Sequence, residues 1–128
     1  MAPLISIVDD DISVRKSLDR LIRSAGLEVR VFASAEEFLS SAHKAACLVL
    51  DVRLPGMSGI DLLHHLAAHK RSVPVIFITA HGSDEGARSA AASDWTVAYL
   101  IKPFGGDELL DAVNAALKWN PGQPKQGN

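Results

Sequence analysis

The 128-residue sequence is short of cysteine, of net charge and of long apolar runs, and each shortage excludes a class of function. Its single cysteine, Cys47, cannot form an internal disulfide or a multi-thiolate metal site, which fits a reducing, cytoplasmic setting. Thirteen basic against fifteen acidic side chains leave a formal charge of -2, so there is no global electrostatic reason to bind nucleic acid directly or to adhere to an anionic membrane. The N-terminus reaches acidic residues after a very short apolar run and has no basic flank. Neither a signal peptide nor a membrane span is expected there. No internal repeat is found. What is abundant is apolar residue content, 48%, enough for one globular domain with a real core.

Five short apolar runs recur, at 4–8, 29–32, 47–50, 75–78 and 97–101, and their β-branched content suits strands buried on both faces. Segments of helical period lie between them. From Ser13, the residues Val14, Leu18, Leu21, Ile22 and Ala25 form one apolar stripe, closed by Gly26 where a left-handed cap is wanted. Ser34 and Glu37 predict a capping box for a second helix. A third helix starts near Ser58 and is expected to bury Ile60, Leu63, Leu66 and Ala67. The last carries Leu109, Leu110, Val113, Ala116 and Leu117. An Ala/Ser-rich segment at 84–92, with Gly86 inside, predicts a loosely packed fourth helix.

Five alternations of strand and helix argue a parallel sheet covered on both faces. The fold class expected is α/β, a flavodoxin-like (βα)5 three-layer sandwich with strand order 2-1-3-4-5. This domain is expected over residues 1–118. The Pro/Gly/Gln-rich segment 119–128 has the composition of a flexible tail or linker.

Polar residues end the strands. The first run stops at Asp9, Asp10 and Asp11, the third at Asp51, the fourth at Thr79 and the fifth at Lys102. In an open parallel sheet all carboxyl ends open on one edge, where ligands bind. Each residue has an ordinary reading. Asp10 or Asp11 suits an N-cap, Asp51 a turn before Pro55-Gly56, Thr79 a plain strand position and Lys102 a solvated amine. Coincidence on four strands at once is the weaker account. Two carboxylates about 5 Å apart at an effective dielectric near 20 repel by roughly 3 kcal/mol, so one protonates or a cation intervenes. Hard oxygens call for a hard metal such as Mg2+, which characteristically takes one or two carboxylates, waters and a phosphate oxygen.

The motifs Val8-Asp9-Asp10-Asp11, Asp51-Val-Arg-Leu-Pro-Gly-Met-Ser-Gly59, Ile78-Thr79-Ala80 and Tyr99-Leu-Ile-Lys102-Pro103-Phe104 together resemble the receiver domain of two-component response regulators. The resemblance covers about residues 4–118 and is closest to the nitrogen-fixation and nodulation branch. It implies a phosphorylation-operated signalling switch rather than an enzyme with turnover. Asp51 would accept a phosphoryl group from a sensor histidine kinase. Asp9, Asp10, Asp51 and the backbone carbonyl of Arg53 would hold Mg2+. Lys102 would pair with the phosphoryl group, with a cis Lys102-Pro103 bond, and Thr79 and Tyr99 would form the switch pair. A dimer or output partner is expected at the face made by the fourth helix, fifth strand and last helix. Arg53 and His81, two positions beyond Asp51 and Thr79, are placed to shape water access.

One segment departs from the family pattern. Trp95 stands where a glycine is usual and Ala98 where an aspartate is usual, and the interval from Thr79 to Lys102 is one residue longer than in the nearest branch. Trp95 suits either a partner anchor or a core side chain. His64, His65 and His69 give an i, i+4 pair without a third ligand, and read as a solvated helix face. Pro55-Gly56-Met57-Ser58-Gly59 and Gly105-Gly106 read as turn and helix-start signals, and Cys47 as packed. Two other readings compete: a Mg2+-dependent hydrolase of haloacid-dehalogenase type, mimicked by Asp9-x-Asp11 but lacking the following Gly-Thr, and a receiver-like adaptor that signals by binding alone.

Overall fold

The computed structural model describes residues 3–41, 44–69, 71, 73–80 and 94–119. Five strands, β1 (Leu4–Val8), β2 (Glu28–Phe32), β3 (Cys47–Asp51), β4 (Val75–Thr79) and β5 (Thr96–Ile101), form one sheet in the order β2-β1-β3-β4-β5. All pairings are parallel. Among the described residues the helices are α1 (Ile12–Ser24), α2 (Ala35–Ser40), α3 (Gly59–Ala68) and α4 (Gly106–Leu117). The helix expected at 84–92 lies outside the described residues, as does the tail from residue 120.

The sheet separates two apolar layers. Val8, Leu48, Leu50, Phe77 and Val75 pack with Phe38 of α2 and Leu62, Leu63 and Leu66 of α3. Ile5, Ile7, Val49, Ile76 and Ile78 pack with Leu18 and Ile22 of α1 and Leu109, Val113 and Ala116 of α4. Alternate residues of each central strand therefore feed opposite layers, the doubly covered arrangement that a parallel sheet requires. Burial on both faces holds for β1, β3 and β4 but not for the other two strands. Strand order puts β2 and β5 at the edges, leaving Val31 43% and Ile101 50% exposed.

Helix faces shift in detail. Asp11 caps α1, accepting from Ser13 N, so the helix starts one residue before Ser13; Ala25 lies past its end and is exposed. Gly26 follows in the left-handed region at φ +86°, and its N–H bonds the Arg23 carbonyl, as expected of a C-terminal cap. Ser34 accepts from Glu37 N, but Glu37 reaches back to Ala33 N, one residue short of a full box. In α3 the buried stripe is Gly59, Leu62, Leu63 and Leu66, so Leu62 replaces the expected Ala67, which is exposed, and Ile60 is half-buried. In α4, Ala112 joins Leu109, Val113 and Ala116 inside, while Leu110 and Leu117 flank them half-buried.

The pairing of β5 with β4 is interrupted once. Val75 pairs with Thr96 but Ile76 pairs with Ala98, so Val97 is an extra residue in β5. Such a bulge absorbs one residue without moving the rest of the strand. Register is regular from there to Thr79↔Ile101, which sets Lys102 just beyond Thr79. Trp95 is half-buried against the α2/α3 layer; the fourth helix, over which a core tryptophan is expected to fold, lies outside the described residues.

Candidate functional site

Strand register brings the four polar strand ends together. Val8 pairs with Leu50, so Asp9 and Asp51 leave neighbouring strands side by side. Asp51 lies opposite Ile78, and the Lys102 N–H donates to the Thr79 carbonyl at 2.7 Å. Asp9 is fully buried and Asp51 is 7% exposed, and both face the same ammonium. Lys102 Nζ donates to Asp9 Oδ2 at 3.3 Å and to Asp51 Oδ2 at 3.4 Å. The Lys102-Pro103 bond is cis.

The remaining oxygens are held by backbone. Asp51 Oδ1 accepts from Arg53 N at 3.0 Å, and Asp9 Oδ1 from Asp11 N at 2.8 Å. Arg15 of α1 donates from Nη1 to the Asp9 carbonyl at 2.7 Å. Gly59, at the start of α3, lies so close to β3 that a Cβ there would overlap the Asp51 carbonyl oxygen. Arg15 and Gly59 were not among the expected site residues. Gly59 is visible only as the last residue of the motif, and Arg15 carries no signal beyond its place on α1.

Of the two outcomes expected of crowded carboxylates, the intervening cation is the one seen. Lys102 intervenes, and burial still pushes the Asp51 carboxyl up from 3.8 to about 6, with Asp9 adding to the shift and the Arg53 N–H and Lys102 opposing it. Burial alone would lower the Lys102 pKa, but the Asp51 and Asp9 charges more than offset it and the net shift is upward. A carboxyl whose folded pKa lies above its unfolded value stabilises the fold at low pH, and that contribution is lost as pH rises through about 4 to 6. In metal-free buffer, Asp51→Asn is therefore expected to raise stability by about 1–2 kcal/mol at pH 7 and by nearly nothing at pH 4. Melting temperatures of the two proteins across that range check this; parallel curves would refute it.

The donor set fits a hard divalent cation. Asp9, Asp10 and Asp51 offer carboxylate oxygens that all lie within 4.8 Å of one another, with Asp10 exposed to solvent. Asp11 is not part of this cluster, because its side chain caps α1 at 2.8 Å from Ser13 N. The second acid of an Asp-x-Asp hydrolase signature is thereby diverted to a structural task. Thr79 is buried at the same edge. Tyr99 is half-buried, and its Oη is buried with no well-formed hydrogen bond among the described residues. Burial raises its phenol pKa, opposed in part by the Thr79 side chain. His81 lies outside the described residues.

The other candidates are structural. His65 and His69 stack at 4.2 Å on α3, with His69 Nδ1 against the His65 carbonyl, and among the described residues no third ligand joins them. Burial pushes the Cys47 thiol up to about 12, leaving it protonated and inert. No helix among the described residues is long and apolar enough to cross a membrane.

Comparison with known proteins agrees with this geometry. Residues 5–114 match the response regulator receiver domain. Nodulation protein W of Bradyrhizobium diazoefficiens is 50% identical over 117 residues, covering 90% of this chain and 51% of that protein. The crystal structure of FixJ-N superposes with a TM-score of 0.82 at 34% identity, covering 96% of this chain and 99% of that one. TrrA of Thermotoga maritima, solved in complex with Mg2+-BeF, gives a TM-score of 0.78 at 28% identity, covering 91% of this chain and 100% of that one. The chain spans about half the length of the curated relatives it matches. With the sheet order, the acidic edge and these matches in agreement, the chain belongs to the response-regulator receiver family, on the nitrogen-fixation and nodulation side of it.

Proposed function

We propose that this chain is a phosphorylation-operated switch whose acceptor is Asp51, and that a sensor histidine kinase supplies the phosphoryl group. The observation that carries the reading is the single ammonium of Lys102 shared between Asp9 and Asp51 at the carboxyl edge of the sheet. An Asp51 carboxylate oxygen forms the new bond to phosphorus as the bond from phosphorus to the donor atom breaks, and the donor leaves with that electron pair. Asp51 is a weak nucleophile, but a loose phosphoryl transition state asks for alignment and charge neutralisation more than nucleophilicity. The Arg53 N–H fixes Oδ1 and so orients the carboxylate. Lys102, already within reach of Asp51 Oδ2, turns to the incoming phosphoryl oxygens.

Asp9, Asp10, Asp51 and the Arg53 carbonyl are the residues we assign to Mg2+, which when bound supplies further neutralisation of the phosphoryl charge. The Mg2+-BeF complex of TrrA supports that assignment. Thr79 then donates to a phosphoryl oxygen, and the half-buried Tyr99 responds to the space this vacates. The change reaches the face made by β5 and α4, where a second copy or an output partner docks. On this reading the chain catalyses only its own phosphorylation and dephosphorylation, works in the cytoplasm, and leaves nucleic-acid binding to other parts of a signalling pathway. Residues 1–118 form the receiver and 119–128 a flexible tail or linker.

Incubation with Mg2+ and acetyl phosphate, followed by intact mass measurement, tests the proposal. One phosphoryl group is expected on the native chain and none on Asp51→Asn. Turnover of a phosphate ester that survives Asp51→Asn and is abolished by Asp9→Asn would instead establish the hydrolase.

A further inference from the structure

The loop from Asp51 to α3 is held at its outer side by a residue from a different part of the chain. Glu36 lies in the first turn of α2, and its Oε2 accepts from Met57 N at 3.1 Å, 21 positions away in sequence. Its neighbour Glu37 bonds only within its own helix start, at Ala33 N, so the two adjacent acids have different tasks. The turn is shaped to admit the carboxylate. Gly56 adopts φ +74°, and a Cβ on it would lie 2.6 Å from Glu36 Oε2.

The same loop carries Arg53, whose N–H holds Asp51 Oδ1. Its inner side is anchored by the buried Leu54, and its end returns through the Ser58 cap to Gly59 against the Asp51 carbonyl. The inner anchors fix where the loop starts and ends. The Glu36 bond holds the turn between them, four residues beyond Arg53.

We infer that Glu36 is a positioning residue for the acidic site: by gripping Met57 N it holds the 53–57 loop in the conformation that favours binding of a divalent cation. The inference rests on the reading of that cluster as the cation-holding part of the acceptor site. Calorimetric titration of the unphosphorylated full chain with Mg2+ tests it without recourse to phosphoryl transfer. Glu36→Ala is expected to raise the Mg2+ dissociation constant by about threefold to tenfold, the worth of one hydrogen bond. Glu36→Gln keeps an oxygen that accepts the Met57 N–H and is expected to stay within about twofold of the native value. An unchanged constant in Glu36→Ala would overturn the inference. So would an equal loss in both variants, which would trace the effect to charge rather than to the hydrogen bond. A native chain that binds no Mg2+ would overturn the reading of the cluster itself, and this inference with it.

Discussion

Lys102→Ala, stripped of divalent cations, is expected to lose about 2–3 kcal/mol of stability at pH 7. Breaking a buried ion pair from one side costs roughly 3–5 kcal/mol because the other charge stays buried and unpaired. Here two carboxylates would be stranded, Asp9 fully buried and Asp51 nearly so. The expected value is set at or below that range because the lysine side chain is itself 26% exposed and partly screened. The sign follows from the upward shift of Lys102. A lysine with a raised folded pKa stabilises the fold fully below its unfolded value of 10.5, so the whole effect is present at neutrality. Urea denaturation in EDTA measures the loss. Added Mg2+ is expected to recover part of it, since a cation among the same oxygens replaces the missing charge. Equal midpoints for native and variant chains in EDTA would show that Lys102 does not compensate the acidic pair.

Gly59→Ala should be comparably damaging for a steric reason. The added methyl would overlap the Asp51 carbonyl oxygen and come within 3.1 Å of its carbon and 3.2 Å of Leu50 Cγ. None of these neighbours is the free end of a flexible chain. Either α3 retreats from the sheet, opening space around Leu62 and Leu66, or the end of β3 shifts. Overpacking of this kind costs about 1–3 kcal/mol. A displacement of about 1 Å at a reacting group is enough to slow a positioned reaction by about a hundredfold. We therefore expect Gly59→Ala to melt lower and to gain phosphate from acetyl phosphate at least about tenfold more slowly than the native chain. Native labelling rate together with native stability would mean that α3 does not bear on the acceptor.

Much of this is legible in the sequence. A carboxylate, hydroxyl or ammonium at the end of an apolar run is visible in the sequence, and parallel pairing aligns such ends whatever the loops do. That is why Asp9, Asp51, Thr79 and Lys102 converge as expected. The exposure of Val31 is not legible in its own run, because a β-branched run reads alike at the edge and the centre of a sheet; only the strand order reveals it. Leu62 against Ala67 is a question of rotation about the α3 axis, and packing decides it. Gly59 acts through the absence of a side chain and Glu36 through a contact 21 residues away, so neither leaves a periodic trace.

The lysine that balances the acidic pair stands 93 residues from Asp9 and 51 from Asp51, on the end of an edge strand. Bringing groups so distant along the chain together costs more loop-closure entropy than a local contact does. During synthesis the acidic residues Asp9 and Asp51 emerge before their counter-charge does. The reverse holds in the mature protein. Edge elements open at lower free energy than the centre of a sheet. An excursion of β5 would withdraw the ammonium and leave Asp9 and Asp51 without their shared counter-charge.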